Sequence, residues 1–162
     1  MLKKLAAAVS GSLIAALLPG CDAINLKELK PGLSTGYEVR DRMGAPSMEW
    51  QEKDGSRVWE YARTPQGTVN YMVIIGPDNV LREIRQMLTP ENFARIQPGM
   101  SQDEIRRLLG KPAQIVPYPL KKEVVWDWKT QSENNRETFF NVHFDESGKV
   151  TRTSTSISGA PG

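Results

Sequence analysis

One signature occurs twice in this chain and fixes most of what it can fold into. Its clearer version runs Ile96-Gln97-Pro98-Gly99-Met100-Ser101-Gln102-Asp103-Glu104-Ile105-Arg106-Arg107-Leu108-Leu109-Gly110-Lys111-Pro112. Pro98-Gly99 makes a turn. Ser101 and Glu104 stand at the spacing of a capping box, so a helix starts here. Met100, Ile105, Leu108 and Leu109 give it an apolar stripe. Gly110 and Pro112 end it. The earlier version is Leu29-Lys30-Pro31-Gly32-Leu33-Ser34, followed by Val39-Arg40-Asp41-Arg42-Met43-Gly44-Ala45-Pro46. The two Pro-Gly pairs are 67 residues apart and the two terminal glycines 66 apart, so the spacing places one extra residue inside the first helix.

The stretches after each helix also correspond. In the first half, Ser47 to Trp50, Arg57 to Ala62, Thr68 to Ile75 and Val80 to Met87 have strand composition, with turns at Asp54-Gly55 and Gly76-Pro77-Asp78-Asn79. In the second, Thr89-Pro90-Glu91 opens a short helix before the capped one. Gln114 to Val116, Glu123 to Lys129, Thr138 to Phe144 and Val150 to Ser156 then read as strands. Val58-Trp59-Glu60-Tyr61 answers Val125-Trp126-Asp127-Trp128, and Val80-Leu81-Arg82 answers Val150-Thr151-Arg152. With a first helix expected over Asp22 to Lys30, the predicted class is α+β: two tandem copies of helix, helix and antiparallel sheet. The expected boundaries are 21–87 for copy one, 88–156 for copy two and 157–162 for a disordered tail. Copies this small are expected to share a core.

Ahead of them stands a leader. Lys3-Lys4 precedes an apolar run from Leu5 to Leu18, then Pro19-Gly20-Cys21. A spanning helix needs about 20 apolar residues, so residues 1–20 read as a signal peptide. Leu18, Gly20 and Cys21 fit a lipobox, which makes Cys21 the acylated residue. Cys21 is the only cysteine of the 162-residue chain, so an internal disulfide is excluded. Two or more acyl chains anchor a protein stably without a spanning helix. The formal net charge is +2, carried by the two lysines of the leader. A neutral mature chain offers no electrostatic footprint for nucleic acid.

These motifs resemble the SmpA/OmlA family, small lipoproteins that include BamE. The resemblance rests on Ile96-x-x-Gly99-Met100-Ser101-Gln102, Leu109-Gly110-x-Pro112, Trp126-x-Trp128 and Phe144-Asp145-x-x-Gly148-x-Val150. Copy one matches through Gly32-Leu33-Ser34, Met43-Gly44-x-Pro46, Trp59-x-Tyr61 and Val80. The resemblance implies a lipoprotein on the periplasmic face of the outer membrane that supports the β-barrel assembly machinery. Its implied partners are proteins of that machinery and anionic lipid. A typical member has one copy. The tandem arrangement is similar to the β-lactamase inhibitor protein, which implies an alternative role as a binding or inhibitory module acting on an envelope enzyme. Asp22, after the acylated cysteine, is in enterobacteria a cue for inner-membrane retention and points the other way.

No catalytic or metal site and no cofactor is expected. The one histidine, His143, is predicted on the face of its strand opposite Phe140, Val142 and Phe144. That places Phe139, Asn141 and His143 on an open sheet face, with Asn70 and Met72 as their counterparts in copy one. These five are the candidate binding residues, and His143 is expected to be exposed. Glu133 and Glu137 are expected in solvated loops. Trp59 with Tyr61, and Trp126 with Trp128, share strand faces, which makes them either core beneath the helices or an exposed aromatic platform.

Overall fold

A computed structural model describes residues 21–158. The expected signal peptide, 1–20, and the last four residues lie outside the described residues, as does the side chain of Cys21. The elements run α1 (Cys21–Glu28), α2 (Gly36–Met43), β1 (Met48–Gln51), β2 (Arg57–Ala62), β3 (Asn70–Ile75) and β4 (Leu81–Gln86). Then come α3 (Pro90–Ala94), α4 (Gln102–Leu109), β5 (Gln114–Tyr118), β6 (Glu123–Glu133), β7 (Arg136–Phe144) and β8 (Val150–Ser158). A 3₁₀ turn at Pro119–Lys121 separates β5 from β6. The strands form two antiparallel four-stranded sheets, in the order β1-β2-β3-β4 and β5-β6-β7-β8.

This overturns the expected fold class. The chain is mostly β, two antiparallel sheets with a few short helices, in place of an α+β pair of helix–helix–sheet copies. The reason is length. The Pro-Gly turn before each capped helix and the glycine after it confine α2 and α4 to eight residues. The strands meet no such punctuation. β6 continues to Glu133 and β7 begins at Arg136, so Glu133 and Glu137 belong to a long hairpin and not to loops. Ile157 and Ser158, expected in the tail, pair with Thr138 and Glu137 at the end of β8.

The capped helices form for local reasons. In α4 the Ser101 side chain accepts from the Glu104 amide, and the Glu104 carboxylate accepts from the Ser101 amide at 2.7 Å. In α2 the cap is Thr35, paired with Glu38 in the same way, and Ser34 lies outside the helix. The extra residue of the first half therefore precedes the cap, and the helix itself is no longer than α4. Gly44 and Gly110 follow with φ of +81° and +80°, a conformation that needs no Cβ, and each donates to the arginine carbonyl four residues back.

The backbone and hydroxyl hydrogen bonds of Ser101 hold the Glu104 pKa below its ordinary value, and Thr35 does the same for Glu38. A lowered folded value means that the box stabilises above the usual carboxyl range and loses that contribution as pH falls through the folded value. Ser101→Ala is expected to destabilise by about 1 kcal/mol at neutral pH. The difference from wild type should shrink on acidification, as read from denaturant midpoints at several pH values.

Each sheet buries one face beneath helices. Leu29, Val39 and Met43 pack on Trp59, Tyr61, Val73, Ile75 and Leu81. Ile105, Leu108 and Leu109 pack on Trp128, Val142, Phe144 and Val150, with Trp126 and Phe140 partly buried beside them. The paired aromatics are thus core, and the expected alternative of an exposed platform fails. The joint between the halves is polar. Fully buried Glu60 accepts from Arg106 Nε and Nη2 at 2.7 and 2.8 Å. Asn70 Nδ2 donates to the carbonyls of Leu109 and Lys111 at 2.8 and 3.0 Å, closing the end of α4.

Candidate functional site

Strand alternation sends Glu123, Val125, Asp127 and Lys129 of β6 to the face opposite Trp126 and Trp128. The ladder sets Val125 beside His143, Asp127 beside Asn141 and Lys129 beside Phe139. On β8, Arg152 and Ser154 lie next to His143 and Asn141. The result is a row of polar side chains across three strands.

The polar members of the row lie in close contact with one another. Asn141 Nδ2 donates to Asp127 Oδ1 at 2.5 Å. His143 Nε2 lies 2.8 Å from Ser154 Oγ, and its Nδ1 lies 3.0 Å from Glu123 Oε1. Arg152 approaches the other Glu123 oxygen at 3.5 Å. Lys129 and Glu137 pair at 2.7 Å at the far end. Burial disfavours the Glu123 carboxylate, but the hydrogen bond and charge of His143, with Arg152 and Lys121, outweigh it and hold the pKa below the ordinary range. A groove of about 210 Å³ runs over the row, edged by Tyr118 and Lys121.

Glu123, His143 and Ser154 stand in the order acid, base, hydroxyl, as in a relay for nucleophilic attack. Such chemistry also needs donors aimed at a developing oxyanion. Ser154 sits within β8 and not on a tight strand-to-helix turn, the geometry that exposes a nucleophile and supplies amides to that end. What the row offers is a fixed set of charges and hydrogen-bonding groups on a sheet surface. Among the described residues no cluster of His, Cys, Asp or Glu is arranged to hold a metal ion.

Of the five binding residues expected from sequence, the structure brings three together. Phe139, Asn141 and His143 share the row's face, and all three are largely buried, against the expectation for His143. Glu123 and Ser154 close on the ring from both sides and reduce its exposure. Asn70 and Met72 are elsewhere. They lie on the first sheet beside α4, buried at the joint, where Asn70 is a structural cap. Sequence reading missed Glu123, Arg152 and Ser154. The signal for Glu123 was available in the polar residues at alternate positions of β6. Nothing local marks Ser154 in the Thr-Ser-Thr-Ser run.

Residues 86–154 match the family model described as the outer membrane protein assembly factor BamE domain. This part of the chain is similar to the BamE domain. It takes in α3, α4, β5 to β7 and the first half of β8, and with them the whole row from Glu123 to Ser154. No curated protein matches the chain. Among solved structures, the crystal structure of a DUF4309 family protein (YjgB) from Bacillus subtilis subsp. subtilis str. 168 is similar. The identity is 14%, over 83% of this chain and 84% of that one, with a TM-score of 0.31. At that score the likeness carries no argument. The row therefore lies within the residues that match the BamE model, while Glu60, Asn70 and Met72 lie in the half that precedes them.

Proposed function

We propose that this protein is a lipid-anchored, non-catalytic factor in outer-membrane β-barrel assembly. The observation that carries the reading is the match of residues 86–154 to the BamE domain. In this reading the mature chain begins at Cys21, whose acyl chains hold it on the periplasmic face of the outer membrane. The short apolar run before Cys21 supports that anchor. No helix among the described residues is long and apolar enough to cross a membrane. Residues 21–87 are a diverged relative of residues 88–156, a reading supported by the matching capping boxes and glycine stops of α2 and α4.

Affinity capture of the full chain from detergent-solubilised membranes tests the role. Components of the barrel-assembly machinery are expected. Recovery of one soluble envelope enzyme in their place would favour the inhibitory module. The anchor is tested separately by Cys21→Ser, which should yield a soluble or unprocessed form without lipid label. A substituted protein that still fractionates as a mature, labelled membrane protein would refute it. Density-gradient separation of the membranes should place the wild type with the outer membrane. Recovery with the inner membrane, moved outward by Asp22→Ser, would show that the retention cue prevails.

A further inference from the structure

The two sheets end on four margin strands, β1, β4, β5 and β8. A margin strand turns alternate backbone N–H and C=O groups away from its neighbour, and proteins normally blunt such a template. Three of the four are blunted here. β1 is four residues long. β4 has charged side chains at Arg82, Glu83 and Arg85, and its Leu81 is held on the outer side by Gly32 and Ser34. Pro117 takes one donor out of β5. β8 differs. It runs nine residues without a proline, and Arg152 is its one charged side chain. Gly99 and Met100 take up the outer backbone groups of Val150. The register shift against β7 lies at this end, and Arg152 to Ser158 then pair without interruption with His143 to Glu137. Among the described residues, no backbone group other than those of β7 meets residues 151–158.

The ladder with β7 fixes which side chains of β8 stand on which face. Thr153, Thr155 and Ile157 lie on the helix side, beside Val142, Phe140 and Thr138. Ile157 is 69% exposed. Phe140, next to Thr155, stacks on Phe93 at 4.1 Å, and both rings are only partly buried. Ser154 and Arg152 lie on the other side with Asn141 and His143 of the polar row, and Ser156 and Ser158 continue that side. A strand laid along β8 therefore meets methyl groups and rings on one side, hydroxyls and charge on the other. A row of alternating donors and acceptors is matched by an extended backbone, and these two sides favour one whose apolar and polar residues alternate.

We propose that the outer edge of β8 takes an extended segment of an unfolded outer-membrane β-barrel protein as an added antiparallel strand. Its apolar side chains point to the Ile157 side and its polar ones to the Ser154 side. Alternation of apolar and polar residues over about ten positions is the pattern of a barrel strand. The backbone of such a segment lacks ladder partners until the barrel closes, so it and the edge of β8 satisfy the same need in each other. The short Ser and Thr side chains of β8 impose little selection by size, so the edge reads alternation and not one particular sequence. The choice of partner rests on the assembly role proposed above; the open edge does not.

Fluorescence anisotropy of labelled nine-residue peptides against the full chain in detergent, from about 1 to about 500 μM, tests this over a range suited to a small interface. Peptides that alternate Leu or Val with Thr or Asn should bind. The same composition with its apolar residues in one block should bind at least about tenfold more weakly. N-methylation of one alternate set of peptide amides should abolish binding and methylation of the other set should leave it, because one edge of the peptide faces β8. These peptides decide the matter without altering the chain. Thr155→Lys with Ile157→Lys, at two exposed positions, should weaken binding at least about tenfold, with circular dichroism checking the fold. Equal binding of the blocked peptide overturns the proposal, as does loss with both methylated sets or with neither. A folded variant that binds like the wild type overturns it too, and so does a chain that pairs with itself along β8 and takes no peptide. Failure of peptide binding while folded barrel levels still depend on the chain refutes the edge and leaves the assembly role standing.

Discussion

Arg106→Ala is expected to destabilise the protein by about 3–5 kcal/mol, the range for a buried ion pair that loses one partner. Glu60 is fully buried, and Arg106 is the only cation paired with it among the described residues. Removing the guanidinium strands a carboxylate and breaks two hydrogen bonds at once. The pair itself need not be net stabilising, because desolvating both charges opposes their attraction. Glu60→Met with Arg106→Leu should therefore recover most of the loss. Denaturant unfolding of the four proteins measures this directly. The pair joins residues 46 positions apart and belongs to the contact between the first sheet and α4. A single transition in the wild type should split, or broaden, in Arg106→Ala. Fragments ending at Met87 and starting at Leu88 should each melt below the intact chain.

Trp128→Ala is expected to cost about 3–5 kcal/mol, as for other buried aromatics cut to alanine. Trp128 is fully buried among Ile105, Leu109, Val142 and Phe144. Its Nε1 donates to the Gly110 carbonyl at 3.0 Å, tying β6 to the end of α4. Tyr61 makes the same tie in the first half, donating its hydroxyl to the Gly44 carbonyl at 3.1 Å. Burial pushes the Tyr61 phenol up to about 12, so it remains a donor throughout the physiological range. Trp126→Ala should cost less than Trp128→Ala, because Trp126 is only partly buried and donates no such bond. Thermal unfolding of both variants ranks them.

The parts of the fold that depend on short-range chemistry were legible. Ser101 with Glu104, Gly110 before Pro112, and the Asp54-Gly55 turn all act within a few residues. The inward alternation of Phe140, Val142 and Phe144 was legible for the same reason, since period two needs only one strand. The balance of classes was not. Whether a strand stops at Lys129 or runs to Glu133 depends on the partner it finds in β7, which no single segment contains. Asn70 misled because its strand position suggested an open face. The helix end that it closes comes 39 residues later, and the cap it provides is visible only once α4 is in place. The row of Glu123, Asp127, Asn141, His143 and Ser154 was half legible. The face was correct, but its members on β6 and β8 come together only through register.

The assembly role is the claim on which the functional reading rests, and barrel output tests it most directly. Cells lacking the chain should contain less folded outer-membrane β-barrel protein, measured by heat-modifiable mobility of several barrels. The wild-type chain should restore it, and Cys21→Ser should not. Unchanged levels of folded barrel proteins in cells without the chain would contradict the account.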